Sequence, residues 1–417
     1  MLSGIKENNF KKNIILLLLI ISYLTGFLLN EDSSGSGNYD YFNYLIVTQE
    51  KLSEDFFDIL LNEGFAGYTP LHFLIYSPLY NIFGLEYLRL INFLFSLVII
   101  YFFYILLIKR FPDIKKNKLI FISILPVLDP YFRASAFWFQ NEITALFFFL
   151  LSILFFLKFE KKENHKFYIN IFYSVLFCSL AFYTKQNYIF FVIFYYFYFL
   201  LNIRTIKFFV ILSLFNLILF LPYLYILFRF ENFATGAVNQ VFLFSLDNIL
   251  IFFSFLCFYF LPFYNFGINK NFLNINKFKL IFSFLFVTIL GYFFDYNNIL
   301  GGGVFYKISQ ILFSNNIIFF ISSGFGLFFF INLLTSKSLK NKLIFIPMLL
   351  IFLFLKVPYQ EYISIYFFYI YFLILDKKFI NNLFNKFNIK ISFVYLYFLL
   401  FLGGSIIYNT LDLKYLI

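Results

Sequence analysis

The chain reads as a series of apolar runs broken by short polar segments, and the breaks carry the information. Runs rich in Phe, Ile and Leu fall near 13–29, 86–108, 118–132, 134–157, 167–184, 187–202, 208–228, 247–265, 279–294, 316–334, 342–356, 360–375 and 391–408. A helix needs about 20 such residues to cross a bilayer, so the pattern predicts an all-α, polytopic membrane protein with about 13 transmembrane helices. The whole of 1–417 reads as a single integral membrane domain, with no internal repeat and no Ser/Gly-rich linker. Several runs are short, and Pro126, Pro347 and Pro358 lie in or beside them, which predicts tilted or broken helices around a cavity.

One long segment does not fit the membrane pattern. Residues 31–84 form a loop predicted to carry surface helices, and eight of the chain's 21 acidic residues fall within it. Ser53, followed by Glu54 and Asp55 and closed by Gly64, predicts a Ser-capped amphipathic surface helix with acids in its first turn. The stretch from Tyr68-Thr69-Pro70-Leu71-His72 to Phe83-Gly84 is too short to span and predicts a re-entrant or interfacial helix.

Composition explains the pattern. With 62% hydrophobic and 13% charged residues, the chain could not hide its apolar surface from water, so its solvent is lipid. The 75 Phe and 34 Tyr, with abundant Ile, Asn and Lys, point to an AT-rich genome and carry no functional meaning. Cys178 and Cys257 sit in apolar runs and read as packing residues. His72 and His165 are too few for a histidine metal site.

Charge then orients the helices. With Lys6, Lys11 and Lys12 on the cytoplasmic side of an uncleaved first helix, alternate connections hold 24 of the 32 Lys and Arg, as the positive-inside rule requires. Of the 21 acids, 16 fall on the other side, and so does the 31–84 loop. The formal charge of +11 therefore reflects topology, and no nucleic-acid partner is expected.

Candidate chemistry gathers on the outer side. Asp40 follows Gly35-Ser36-Gly37-Asn38 and is flanked by Tyr39, Tyr41, Phe42 and Tyr44, rings suited to stacking on sugars or to sitting at a headgroup interface. A carboxylate beside a low-dielectric cavity suits general-base work; the plainer role is the N-cap of a surface helix. Asp55 and Asp58 are weaker candidates. Arg89 and Arg133 lie at outer helix ends, suited either to binding phosphate or to snorkelling. Asp129, Gln140, Asn141, Asn187, Gln360 and Glu361 are further polar groups near membrane depth, where ionisable residues are costly. Glu142 lies about two turns inside the 134–157 run, with Lys185 or Arg133 as its expected partner. Lys185-Gln186-Asn187 interrupts a 36-residue apolar stretch, and its cation is placed to neutralise a phosphate leaving group. The plainer reading is a helix-hairpin turn. His72 reads as a structural histidine.

Taken together, these segments resemble polytopic glycosyltransferases of the GT-C fold that use lipid-phosphate sugars. Within that class the chain is most similar to the dolichyl-phosphate-glucose α-1,2-glucosyltransferase family and its bacterial relatives. Phe139-Gln140-Asn141-Glu142, with Ala145-Leu146-Phe147-Phe148, is similar to an aromatic-acid-small-Phe-Phe segment of that family. Lys185-Gln186-Asn187-Tyr188-Ile189 is similar to its Arg-Gln-Thr-Asn-Ile motif, with Lys for Arg and Asn-Tyr for Thr-Asn. Beyond residues 30–230, Tyr359-Gln360-Glu361-Tyr362 fits loosely.

The resemblance implies inverting transfer of a hexose from a polyprenyl-phosphate donor to a glycan or lipid-linked acceptor. The reaction would run on the outer face, in a bacterial inner membrane or, alternatively, in the ER. Asp40 would be the catalytic base. Lys185, Gln186, Arg133, Glu142, Arg89, Gln360 and Glu361 would bind substrate. No cofactor is implied with certainty and no ligand cluster stands out, so a divalent metal is left open. The alternatives are a transporter or flippase for lipid-linked sugars, or an envelope polysaccharide polymerase or ligase.

Overall fold

A computed structural model describes residues 2–59, 69–161, 167–229, 244–264, 277–298, 301–384 and 387–411, and every element among them is helical. Gly64, Tyr68 and His165 lie outside the described residues. The apolar runs become helices where the pattern places them, among them Leu85–Arg110, Phe167–Thr184, Ile206–Arg229, Asp247–Tyr264 and Ile317–Leu334. The short run after Pro70 is the helix Leu71–Phe83, ended by Gly84 at φ 78°.

Length decides how many of these helices can span. Seven among the described residues are long and apolar enough: Tyr87–Arg110, Asn141–Glu160, Phe167–Thr184, Gln186–Ile203, Ile206–Ile226, Ile317–Leu334 and Ile389–Thr410. An eighth counts if Lys116–Leu128 and Pro130–Phe137, bent by 74° at Asp129, are one span. Ile14–Leu28, Asp247–Phe263 and Glu361–Ile374 are apolar but shorter. Ile14–Leu28 is part of a helix that runs Leu2–Leu28, whereas at 1.5 Å per residue Asp247–Phe263 and Glu361–Ile374 fall short of a hydrocarbon core of about 30 Å. The chain is thus a multi-pass integral membrane protein with seven or eight candidate spans, where the sequence pattern predicts about 13.

Helices differ in what they face. Ile206–Ile226 is largely exposed, presenting Leu214, Leu217, Ile218 and Leu221 outward, a surface that only lipid would stabilise. Asn141–Glu160 is mostly buried and packs chiefly against Phe167–Thr184. Both cysteines are buried and free, in keeping with a packing role.

Two local expectations change. The 134–157 run is not one helix. Pro130–Phe137 ends at Trp138, Phe139 takes a left-handed φ of 57°, and a new helix starts at Asn141. Such a break strands carbonyls at the first helix's end, and the Leu85–Arg110 helix supplies their partners. Asn92 Nδ2 donates to the Ser135 and Ala136 carbonyls at 2.9 and 3.1 Å, and Arg89 Nε to the Phe137 carbonyl at 2.9 Å. Glu142 therefore lies in the first turn of its own helix, where the macrodipole favours a carboxylate. Ser53, expected as an N-cap, instead lies inside the Ile46–Glu54 helix, its Oγ donating to the Glu50 carbonyl at 2.7 Å. The cap belongs to Asp55, whose carboxylate accepts from Asp58 N at 2.9 Å.

Candidate functional site

The loop that leaves the first helix is organised by Asp32. Its carboxylate accepts backbone N–H bonds from Gly35, Gly37 and Asn38 at 3.0, 3.2 and 3.1 Å, turning the chain into the Gly37–Asp40 helical turn. Asp40 itself is in helical conformation, continuous with the Tyr41–Leu45 and Ile46–Glu54 turns, and makes no capping bond. Asp32, not Asp40, is thus the capping residue. Among the described residues the Asp40 carboxylate accepts no hydrogen bond. Its pKa is pushed up to about 6, mainly by desolvation, with Lys185 opposing the rise and Glu142 and Asp32 adding to it.

Lys185 comes from a helix break. Phe167–Thr184 ends, Lys185 is extended, and the Gln186–Tyr188 turn leads into Ile189–Ile203. Asn141 Nδ2 donates to the Thr184 carbonyl at 2.8 Å, pinning this break against the start of the Asn141–Glu160 helix. That bond brings Lys185 Nζ onto Glu142 Oε1, an ion pair between largely buried side chains. Glu361 opens the helix Glu361–Tyr369 and faces the same pair, within electrostatic reach of Lys185, Glu142 and Asp40.

A cavity of about 10 Å³, enough for one water, lies between Glu142, Lys185, Asn187, Tyr188, Glu361 and Tyr366. Among the described residues, Glu142 Oε2 and the hydroxyls of Tyr188 and Tyr366, three residues of this lining, are buried without a hydrogen-bond partner. Buried polar atoms are nearly always partnered, so three orphans around one cavity mark a place suited to a polar ligand. Among the described residues, no three His, Cys, Asp or Glu come close enough to hold a metal ion.

Four of the sequence-selected residues, Asp40, Glu142, Lys185 and Glu361, are therefore brought together. Gln186 is half-buried in the turn beside them. The other three are occupied elsewhere. Arg133 makes a two-pronged pair with Glu31, at 2.7 and 2.5 Å, and donates to the Ser22 carbonyl at 2.9 Å, clamping the first helix. Arg89 caps Phe137 and lies over the Trp138 ring at 4.1 Å. Gln360 accepts from Val304 N at 2.9 Å and donates to the Tyr259 hydroxyl at 3.2 Å, tying down the start of the Gly303–Phe313 helix. Asp129 caps Pro130–Phe137 and accepts from the Ser364 hydroxyl. His72 is buried between Phe139 and Tyr76, its Nδ1 3.1 Å from Thr144 Oγ1.

Sequence reasoning missed Tyr188 and Tyr366 as cavity walls, because one tyrosine among 34 carries no signal of its own. It also missed Asp32 as organiser, although an Asp ahead of Ser-Ser-Gly-Ser-Gly is a readable turn signal. Fold and site define a polytopic, all-helical membrane protein with a cluster of ionisable groups at one end of the bundle. No known protein family, curated protein or solved structure matches the chain.

Proposed function

We propose that this protein is a membrane glycosyltransferase of GT-C type, moving a hexose from a polyprenyl-phosphate donor to a glycan or lipid-linked acceptor on the outer face. The observation that carries the reading is Asp40. It is a half-buried carboxylate that accepts no hydrogen bond among the described residues, with its pKa pushed up to about 6 and a buried Lys–Glu pair within electrostatic reach. At neutral pH such a group is mostly ionised, yet more basic than an ordinary aspartate, which is what a general base needs.

In the proposed step, Asp40 takes the proton of an acceptor hydroxyl. That oxygen attacks the anomeric carbon as the bond to the phosphate oxygen breaks, and the configuration inverts. The bonding electrons leave with the lipid phosphate, whose charge Lys185 opposes. Glu142 holds Lys185 in place, and the orphaned hydroxyls of Tyr188 and Tyr366 suit hydrogen bonding to donor oxygens. Three carboxylates around one ammonium also repel an anionic donor, so Glu361 sets an upper limit on donor affinity.

The test is transfer by the purified protein in lipid nanodiscs, against a panel of polyprenyl-phosphate sugars, beside Asp40→Asn. Full activity in a well-folded Asp40→Asn protein would sink the assignment. The same surplus of buried carboxylates also suits a proton-coupled carrier of lipid-linked sugars. Proteoliposomes that move such a sugar down a pH gradient, with no transfer in nanodiscs, would select that reading.

A further inference from the structure

A second, larger cavity of about 270 Å³ opens where Lys277–Tyr292 leads on toward Gly303–Phe313. Its wall holds one carboxylate, Asp295; three amides, Asn297, Gln310 and Asn316; and the rings of Tyr296 and Tyr306. Internal bonds hold these groups in position. Asn297 Nδ2 donates to Asp295 Oδ1 at 3.2 Å, Gln310 Nε2 to Asn316 Oδ1 at 2.6 Å, and the Tyr306 hydroxyl to the Tyr296 carbonyl at 2.8 Å.

The segment that leads into Glu361 links this pocket to the Asp40 cluster. A Cβ added at Gly301 would meet the Tyr296 hydroxyl, and would lie 2.9 Å from Val357 and 3.2 Å from the Pro358 carbonyl. The pocket wall thus packs on the segment that leads into Glu361. The Gln360 bond to Val304 N fixes the same junction from the other side. Tyr359, packed on Tyr362 at 5.6 Å between ring centres, lies within electrostatic reach of both Asp40 and Glu361, and Tyr296 within reach of Tyr359.

We infer that this pocket binds the neutral saccharide portion of the acceptor, next to the carboxylate that activates its hydroxyl. The inference rests on the transferase reading of Asp40. The chemistry of the wall selects the ligand class. Among the described residues the wall holds no Lys or Arg, and Asp247 stands behind Asp295, its Oδ1 3.4 Å from the Asp295 amide N, so the charge a phosphate would meet from them is negative. A lipid tail would bury a carboxylate and three amides whose mutual bonds use only part of their hydrogen-bonding capacity. A polyol fits both halves, with its hydroxyls on Asp295 and the amides and its apolar ring face on a tyrosine. Lys185, by contrast, stands at the neighbouring cavity, where an anionic donor belongs. The arrangement separates the cluster that carries the Lys185 ammonium from an amide-rich wall that, among the described residues, carries no cation.

The probes are maltotriose, chitotriose and mannotriose, titrated at millimolar concentration into the full-length protein in nanodiscs. Binding is read by saturation-transfer NMR, with glucose 1-phosphate and choline as charged controls. At least one neutral trisaccharide is expected to bind, about tenfold more weakly in Asp295→Ala or Gln310→Ala and unchanged in Lys340→Ala, whose ammonium pairs with Glu160. Melting temperature and a monodisperse elution profile check each fold, and Asn297→Ala serves where a variant does not fold. Binding by none of the three, binding of a charged control instead, or equal affinity in the pocket variants would overturn the inference. Failure of the transferase reading is distinguishable: trisaccharide binding would persist in a protein that transfers no sugar.

Discussion

Two ends of one helix hold buried charge, and they are built to opposite rules. Asn141–Glu160 has 20 residues, so its ends stand about 30 Å apart. At its C-terminal end Glu160 meets two cations, Lys340 Nζ at 2.5 Å and Arg110 Nη1 at 3.7 Å, and accepts from the Tyr198 hydroxyl at 3.1 Å. Arg110 also donates to the Leu375 carbonyl, and Asp376 lies within electrostatic reach of both cations. Two positive charges face two negative ones. At the N-terminal end, among the described residues, three carboxylates face the ammonium of Lys185, and Glu142 Oε2 stays unpartnered beside a cavity. The balanced end pairs its charges, with Arg110 Nε its buried unpartnered atom among the described residues, and reads as an internal clamp between helices. The unbalanced end retains charge and hydrogen-bonding capacity that a ligand can use, which is where function is expected to concentrate.

Exchanging the acid removed separates the two ends most sharply. Asp40→Asn should lower transfer by about 10²–10⁴-fold while leaving the melting temperature nearly unchanged, since that carboxylate makes no structural bond. Glu160→Gln should do the reverse, costing roughly 3 kcal/mol of stability by leaving buried cations underpaired and leaving kcat of the surviving protein alone. Thermal unfolding in nanodiscs, run beside the transfer assay, measures both.

The two lysines give a second contrast. Lys185→Ala should raise donor KM by about tenfold, equivalent to ~1.4 kcal/mol, and Lys185→Arg should recover part of it. Lys340→Ala should leave KM as it was. Equal KM effects from the two lysines would dissolve the distinction between site and clamp.

Next comes pH. Because Asp40 is held at about 6 and must be ionised to accept a proton, kcat/KM should fall about tenfold per pH unit below that value and level off above it. In Asp40→Asn the residual rate should lose this inflection. The smallest effect belongs to Asp32→Ala. Losing its three backbone bonds costs about 1 kcal/mol, and removing a nearby negative charge should move the inflection slightly downward. An upward move would contradict the electrostatic account of the loop.

How legible this was depended on whether a feature is local. Lys185 is visible in the sequence because a cation flanked by apolar runs must either break a helix or lie buried, and here the chain breaks at that residue. Glu142 is visible for the same reason, but its depth was not. The turn at Phe139 rests on carbonyl partners from Asn92 and Arg89, more than forty residues away in sequence. Arg89, Arg133 and Gln360 carry the same outward signal as Lys185, a polar group at a helix end. Nothing in the sequence told that Glu31, Trp138 and Val304 would engage them. The spans show the limit from the other side: hydropathy places nearly every helix, yet whether a short apolar helix crosses the bilayer depends on tilt and on what packs around it.

Composition and hydrophobic period are enough to establish a helical membrane protein, the course of most of its helices, and one long acidic loop that stands apart from them, because both act over a few turns of chain. Which charges meet was left to packing: Asp32 shapes the loop in place of Asp40, Asn141 draws Lys185 onto Glu142, and Glu361 arrives from the far end of the chain to complete the cluster. Pairing energies depend on distance in space and on exclusion of water, and a linear sequence specifies neither until the helices have packed.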